Sequence, residues 1–276
     1  MSRLAYYYDS SKCMGCRGCQ AACKEWNEEE VENTHFEGSY QNPPQLSPDT
    51  RMIIKFYENF EKDTVPQLNM LKYQCFHCGD PACVKVCPSG CLQRTEDGVV
   101  IMDKDKCIAC GYCHSACPFT IPSIGKTVNK CDMCFSRIRE GSESEKTSTP
   151  ACVKACLADA LSFGNRDELV QKGKERVTWL KTRGYENANL YGESILGGLG
   201  VLSVLKDKPT KYGLPEEPSM PLEITAWKDI LNPIAPLAFV GAIGLSAVQH
   251  LCALKQIKDE KKKDDTDKDD ADKGEK

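Results

Sequence analysis

Cys107, Cys110, Cys113 and Cys117 follow one another as C-x2-C-x2-C-x3-C, and Pro118 closes the run. Thiolates at this spacing are iron ligands, arranged to hold a cubane [4Fe–4S] cluster. Two residues between thiolates let a tight loop wrap one face of the cubane and reach three of its irons. The fourth Cys, three residues on and before Pro, starts a new direction and ligates a different cluster. The run is therefore half of a pair.

Three more motifs of this kind precede or follow it. One is Cys13-x2-Cys16-x2-Cys19-x3-Cys23, and another is Cys75-x2-Cys78-x4-Cys83-x3-Cys87-Pro88. The last is split, with Cys131-x2-Cys134 separated from Cys152-x3-Cys156 by seventeen residues. Sixteen candidate ligands fall into four groups of four, enough for four [4Fe–4S] cofactors. The crossing of each fourth Cys pairs the neighbouring second and third motifs. Cys75, Cys78 and Cys83 then share a cluster with Cys117, and Cys107, Cys110 and Cys113 share one with Cys87. By elimination the outer motifs pair around them. Cys13, Cys16 and Cys19 join Cys156, and Cys131, Cys134 and Cys152 join Cys23.

Other uses of cysteine fit less well. Seventeen of the eighteen Cys lie before residue 157, mostly two or three residues apart. A secreted disulfide scaffold is short and irregularly spaced. Structural zinc takes two separated Cys pairs, not triplets. A net charge of −4 gives no case for a nucleic-acid partner. No nucleophile–base constellation, Gly-rich phosphate loop or substrate-pocket signature is present, so no catalytic residue is assigned. The residues before Cys13 hold no apolar h-region. The chain is thus expected to load its clusters in the cytoplasm and to be exported only as the folded passenger of a partner.

The elements that must position these ligands are short. The fold class expected is α+β, with two interleaved ferredoxin-like units and a C-terminal transmembrane helix. Residues 1–71 and 119–164 form the outer unit, and 72–118 the inserted one. Residues 51–57 and 98–103 read as strands. Asn42-Pro43-Pro44 and Ser47-Pro48-Asp49 mark loops, and the Ser/Glu/Lys-rich 141–149 is a surface loop. Asn165 caps a helix, with Glu168 as its capping-box partner. Leu169, Val170, Val177 and Leu180 give that helix an apolar side, and Lys181, Arg183 and Gly184 end it. Within the partner-binding region 165–229, the Gly- and Pro-rich residues 185–223 read as an extended segment with little core of its own.

Residues 230–254 run for 25 positions without Asp, Glu, Lys or Arg. As a helix they span roughly 37 Å, enough to cross a bilayer with some tilt. Pro233 and Pro236 fall near the start, where Pro is tolerated, and Trp227 sits at the expected interface. Ala238, Ala242 and Ser246 offer a small-residue face to another helix. The tail, 255–276, carries eight Lys and nine acids and is expected to be disordered. Five leading Lys place it in the cytoplasm and the cluster domain in the periplasm, on a single-pass inner-membrane protein.

His77 and His114 lie inside cluster loops, where a ring N–H can hydrogen-bond sulfur or simply pack. His250 sits near the membrane end of the span, as a helix contact or quinone-site contributor; one membrane His is thin support for haem. His35 has no assigned role. Cys91 and Cys252 read as small buried apolar residues. Lys72, Lys130 and Lys154 flank ligand Cys, where they either offset cluster charge or are solvated.

The order of motifs, the split fourth motif and the C-terminal span resemble the iron–sulfur (beta) subunit of membrane-bound respiratory formate dehydrogenase. The resemblance extends to non-ligand stretches: residues 22–27 (ACKEWN), 150–154 (PACVK), Arg176-Val177, Leu180-Lys181, Arg183-Gly184-Tyr185-Glu186 and Tyr212-Gly213-Leu214-Pro215. It implies electron transfer from a molybdenum- or tungsten-pterin catalytic subunit, along four [4Fe–4S] clusters, to a membrane cytochrome b subunit that reduces quinone. The family's ligand set falls on the sixteen Cys grouped above. Leu157 stands where the family usually has Pro, Cys91 where a small residue such as Ala is usual, and the loop between Cys134 and Cys152 is longer. The similar cluster subunit of a respiratory hydrogenase and a self-contained soluble polyferredoxin are the alternatives, the latter disfavoured by the span.

Overall fold

The structure is a computed structural model that describes residues 3–60, 67–139, 149–221 and 239–255. The chain divides into two units, Met1–Met220 and Pro221–Lys276.

The larger unit opens with β1 (Leu4–Asp9) and α1 (Gly18–Trp26), then the hairpin of β2 (Met52–Asn59) and β3 (Gln67–Gln74). Short elements follow: α2 (Ala82–Lys85), β4 (Leu92–Arg94), β5 (Val100–Met102) and α3 (Tyr112–Ala116). After the small hairpin of β6 (Ser123–Ile124) and β7 (Val128–Asn129) come α4 (Phe135–Arg139), α5 (Ala151–Lys154) and β8 (Leu161–Asn165). The 16-residue α6 (Arg166–Lys181) precedes β9 (Asn189–Tyr191) and β10 (Val201–Leu205). The strand expected at 51–57 is β2, which runs on to Asn59, and the one expected at 98–103 is the shorter β5.

Two sets of elements are nested. α1 packs on α5 while β1 pairs antiparallel with β8. Between them in sequence, α2 packs on α3 and β4 pairs with β5. α1, α2 and α3 each follow directly on a Cys-containing loop and α5 carries Cys152, so helix packing brings thiols far apart in sequence together.

β1 also pairs in parallel with β10, giving the sheet order β8-β1-β10-β9. Its faces are served by alternate residues, as strand geometry requires. Tyr6 and Tyr8 of β1, with Val201 and Leu205 of β10, enter the thiol-rich main core. Ala5, Tyr7, Leu202 and Val204 face the other way, onto Leu169 and Leu180 of α6. The helix is capped as its sequence indicates: Asn165 Oδ1 accepts the Asp167 N–H at 2.9 Å. At its end the Tyr185 N–H bonds back to Leu180 O at 3.2 Å, across Gly184 at φ +88°.

The reading of 185–223 as an extended segment with little core needs correction. Leu199, Val201, Leu202, Val204, Leu205, Tyr212 and Leu214 are all buried. A strand covered on both faces shows an unbroken apolar run rather than alternation, and Val-Leu-Ser-Val-Leu between glycines and Lys206 is such a run.

In the smaller unit, residues 239–255 form a helix, and every one of its side chains is exposed. Among the described residues no helix is long and apolar enough to cross a membrane. The first part of the expected span, 230–238, lies outside the described residues, as do Trp227, residues 141–148 of the expected loop, and the tail from 256. Cys252 is exposed on this helix, not buried as expected; no described element of its own unit covers it.

Candidate metal centres

The cysteine loops share one backbone device. The residue before the second Cys of each motif is left-handed: Gly15 at φ +69°, His77 at +48°, Ala109 at +52° and Met133 at +59°. Three of these four are not glycine, and such a conformation costs of order 1–3 kcal/mol unless its surroundings enforce it. The turn curls backbone N–H groups toward the preceding thiol. Ala109 N–H donates to Cys107 Sγ at 3.4 Å, and Met133 N–H to Cys131 Sγ at 3.4 Å. Val128 N–H reaches Cys107 Sγ from β7 at 3.2 Å. Donors aimed at sulfur stabilise it as a thiolate.

The structure brings together thiols of different motifs. Cys13, Cys16, Cys19 and Cys156 line one cavity with Tyr8, Ile54 and Lys72. Cys87, Cys107, Cys110 and Cys113 line another, together with Cys91. Elsewhere the mutual electrostatics identify the neighbours. Burial pushes the Cys78 thiol up, and Cys75, Cys117 and Cys83 push it further. Cys117 thus stands with the second motif and not with its own. Likewise Cys23 is raised by burial and by Cys152 and Cys134, and Cys131 by burial, Cys23 and Cys152. All eighteen Cys are free of disulfides.

The groups form a series. Cys19 of the Cys156 group also feels Cys152, which joins the first and second groups. Cys83 feels Cys113, which joins the third and fourth. Lys130 bridges the middle, donating to Cys131 O at 3.0 Å while its charge acts on Cys83. Cys16 and Cys110, in the two end groups, are exposed. Met14 stands beside the first, at 62% exposure, and Ile108 and Tyr112 beside the second, at 64% and 61%.

Burial is the largest influence on several of these thiols. It pushes Cys19 and Cys83 up to about 12 and Cys117 and Cys134 up to about 11. Neutral thiols of this kind are poor nucleophiles at neutral pH. A bound metal deprotonates them outright. Among the described residues no three His, Cys, Asp or Glu side chains could hold a single metal ion. Two of the thiol groups line cavities, as ligands arranged around a multi-iron cubane would.

The flanking residues divide. Lys72 and Lys130 are buried at 1% exposure, whereas Lys154 is exposed. Burial alone would lower the Lys72 ammonium, but Cys152, Cys131, Cys19 and Cys23 raise it above its ordinary value. His77 is fully buried and accepts the Val100 N–H on Nδ1 at 3.0 Å. Burial, Lys130 and Lys72 hold its imidazole well below the usual range, hence neutral, with the proton on Nε2. That Nε2 has no partner among the described residues. His114 is different: its Nδ1 bonds Pro122 O at 2.7 Å, a loop-packing contact. His35 and His250 are exposed. Cys91, buried as expected, is hydrogen-bonded to Cys107 inside the fourth cavity.

Two contributors escaped the motif reading. Tyr6 and Cys152 are hydrogen-bonded at 3.5 Å, and Tyr8 lines the first cavity while donating to Met70 O at 2.7 Å. The aromatic run Tyr6-Tyr7-Tyr8 was the available signal for a buried strand. The second is residues 196–200, which clamp the second motif. Gly79 N–H donates to Gly198 O, Asp80 N–H to Leu196 O and Gly200 N–H to Phe76 O, at 2.9, 2.7 and 2.9 Å. They lie against the longer x4 gap between Cys78 and Cys83.

Crossed Cys motifs on a nested α+β framework define a multi-centre iron–sulfur protein. A family model described as a 4Fe-4S dicluster domain matches residues 66–166. The formate dehydrogenase iron–sulfur subunit of Haemophilus influenzae is 40% identical over 255 residues, covering 90% of this chain and 79% of that protein. The nitrate-inducible formate dehydrogenase iron–sulfur subunit of Escherichia coli is 39% identical over 246 residues, 87% of this chain and 81% of that protein. The B subunit of the Escherichia coli anaerobic dimethyl sulfoxide reductase is 37% identical over 183 residues, 62% of this chain and 78% of that protein. The chain belongs to the family of formate dehydrogenase iron–sulfur subunits.

Proposed function

We propose that the chain relays electrons from a molybdenum- or tungsten-pterin formate dehydrogenase subunit, through four [4Fe–4S] clusters, to a membrane cytochrome b-type subunit that serves quinone. The observation that carries the reading is the convergence of three thiols of one motif with the fourth of another. Cys13, Cys16, Cys19 and Cys156 would hold one cluster, and Cys23, Cys131, Cys134 and Cys152 the next. Cys75, Cys78, Cys83 and Cys117 would hold the third, and Cys87, Cys107, Cys110 and Cys113 the fourth. When bound, each cluster supplies a one-electron couple whose potential depends on net charge, hydrogen bonds to sulfur and exposure.

The protein's own residues do the rest. The left-handed turns orient N–H donors toward sulfur, and the buried core excludes water from the middle groups. The exposed edges at Cys16 and Cys110, each beside large apolar side chains, suit the two ends of the series to partner subunits. Anchorage by residues 230–254 as a single span, with the cluster domain periplasmic and the tail cytoplasmic, belongs to the same proposal. It is supported by 25 residues free of formal charge and by the exposed apolar side chains of helix 239–255.

Iron and acid-labile sulfide analysis tests the relay. Each is expected to approach sixteen per chain, about four per cubane. The purified chain is expected not to oxidise formate without its pterin partner. Zinc as the main metal, eight irons, or formate oxidation by the chain alone would refute the reading.

A further inference from the structure

Lys72 lies on β3 with 1% of its surface exposed. Its ammonium donates to Gln74 Oε1 and stands 4.8 Å from the centroid of the Tyr6 ring. It lines the cavity of Cys13, Cys16, Cys19 and Cys156. The thiols acting on it are Cys152, Cys131, Cys19 and Cys23, three of the second group and one of the first. Lys130, also buried, donates to Val100 O and to Cys131 O, and acts on Cys83 of the third group. Among the described residues neither ammonium is paired with a carboxylate.

A buried ammonium without a counter-anion costs several kcal/mol even after relaxation. An amide oxygen and an aromatic face offset only part of that. The groups that favour the charge of Lys72 are thiols, which are anionic when they carry metal. A [4Fe–4S] unit with four thiolates is net negative and becomes more so on reduction. A fixed cation nearby therefore stabilises the reduced form more than the oxidised one and raises the potential. Its position decides which potentials it raises.

We propose that Lys72 is a positioning charge shared by the first and second sites, holding the potentials of both clusters up together. The inference rests on the four-cluster reading. Lys72 acts without touching a substrate and is not a ligand.

The test is an EPR-monitored redox titration of the purified complex, with signals assigned by single Cys replacements. Lys72→Met is expected to shift the electron-occupancy equilibrium of the first and second clusters by on the order of tenfold, about 59 mV downward for a one-electron couple. The fourth cluster should stay at its wild-type value. Lys72→Arg, which keeps the charge, should hold both potentials near wild type. Unchanged first and second potentials in a Lys72→Met protein with full iron would overturn the proposal, as would an equal shift of all four. Should Lys72→Met lose iron, restoration by Lys72→Arg supports the charge and failure of restoration overturns it. Wild-type protein with fewer than sixteen irons would remove the four-cluster reading itself, a separate result.

Discussion

Gly79 offers the sharpest structural test, because the space beside it is already filled. A Cβ at that position would lie 2.0 Å from Gly197 O, 2.5 Å from Gly197 C and 2.9 Å from Gly198 O. All three are backbone atoms, so no side chain can rotate away. Gly79→Ala must push residues 196–198 back by roughly 1.5 Å to reach an ordinary contact. That movement breaks the bonds from Gly79 N–H to Gly198 O and from Asp80 N–H to Leu196 O. Overpacking costs about 1–3 kcal/mol, and two net backbone hydrogen bonds add about 0.5–1.5 kcal/mol each. The expected loss is thus about 2–6 kcal/mol, or roughly 4–24 °C in Tm at about 2–4 °C per kcal/mol. The assay is thermal bleaching of the cluster absorbance, recorded at one scan rate. The comparison protein is Gly164→Ala, whose added Cβ would meet nothing within 4 Å. The cluster held by Cys75, Cys78, Cys83 and Cys117 should be lost first, since residues 196–198 clamp its loop. If Gly79→Ala melted with the wild type and with Gly164→Ala, the clamp would have no structural role.

Two further predictions address the ligand pairing and the membrane. Cys117→Ser should remove or convert the cluster of Cys75, Cys78 and Cys83 while the cluster of Cys107, Cys110 and Cys113 persists; EPR that loses only the latter signal would show the crossing to be wrong. Protease added outside spheroplasts should spare an epitope placed after Lys276, whereas cleavage of that epitope from outside would reverse the proposed topology.

What the sequence made legible was everything written in spacing. Cysteines two or three residues apart announce their ligand chemistry locally, and the crossing of the fourth Cys is a long-range expectation that puts Cys117 with Cys75, Cys78 and Cys83. The capped α6 was legible for the same reason, since Asn165, Leu169, Leu180 and Gly184 each act within a few residues. β1 and β10 were not, because a strand buried on both faces loses the polar alternation that marks a surface strand. Glycines at 197, 198 and 200 suggested an extended coil; in the fold they permit residues 196–200 to lie directly on the backbone of the second motif.

The charged residues show why local reading stops where it does. Lys72, Lys130 and Lys154 all stand within three residues of a ligand Cys, and the sequence gives no ground for separating them. Lys72 is on the strand that ends at the second motif, yet its ammonium reaches thiols of the first and fourth motifs. Lys154 is on a helix directly between two ligands and is nevertheless solvated. The difference is made by the nesting. β3 passes behind the loops of the outer pair, so a side chain close in sequence to one group lies inside another. The same nesting takes Cys156 to Cys13, Cys16 and Cys19, and Cys23 to Cys131 and Cys152. Crossed ligands tie each group to two separate stretches of chain, and a cation placed between two such groups acts on both. Four groups in series, with exposed ends and two enclosed ammonium groups, are therefore products of one topological choice: the closing of the 4–26 and 151–165 segments around the inserted pair.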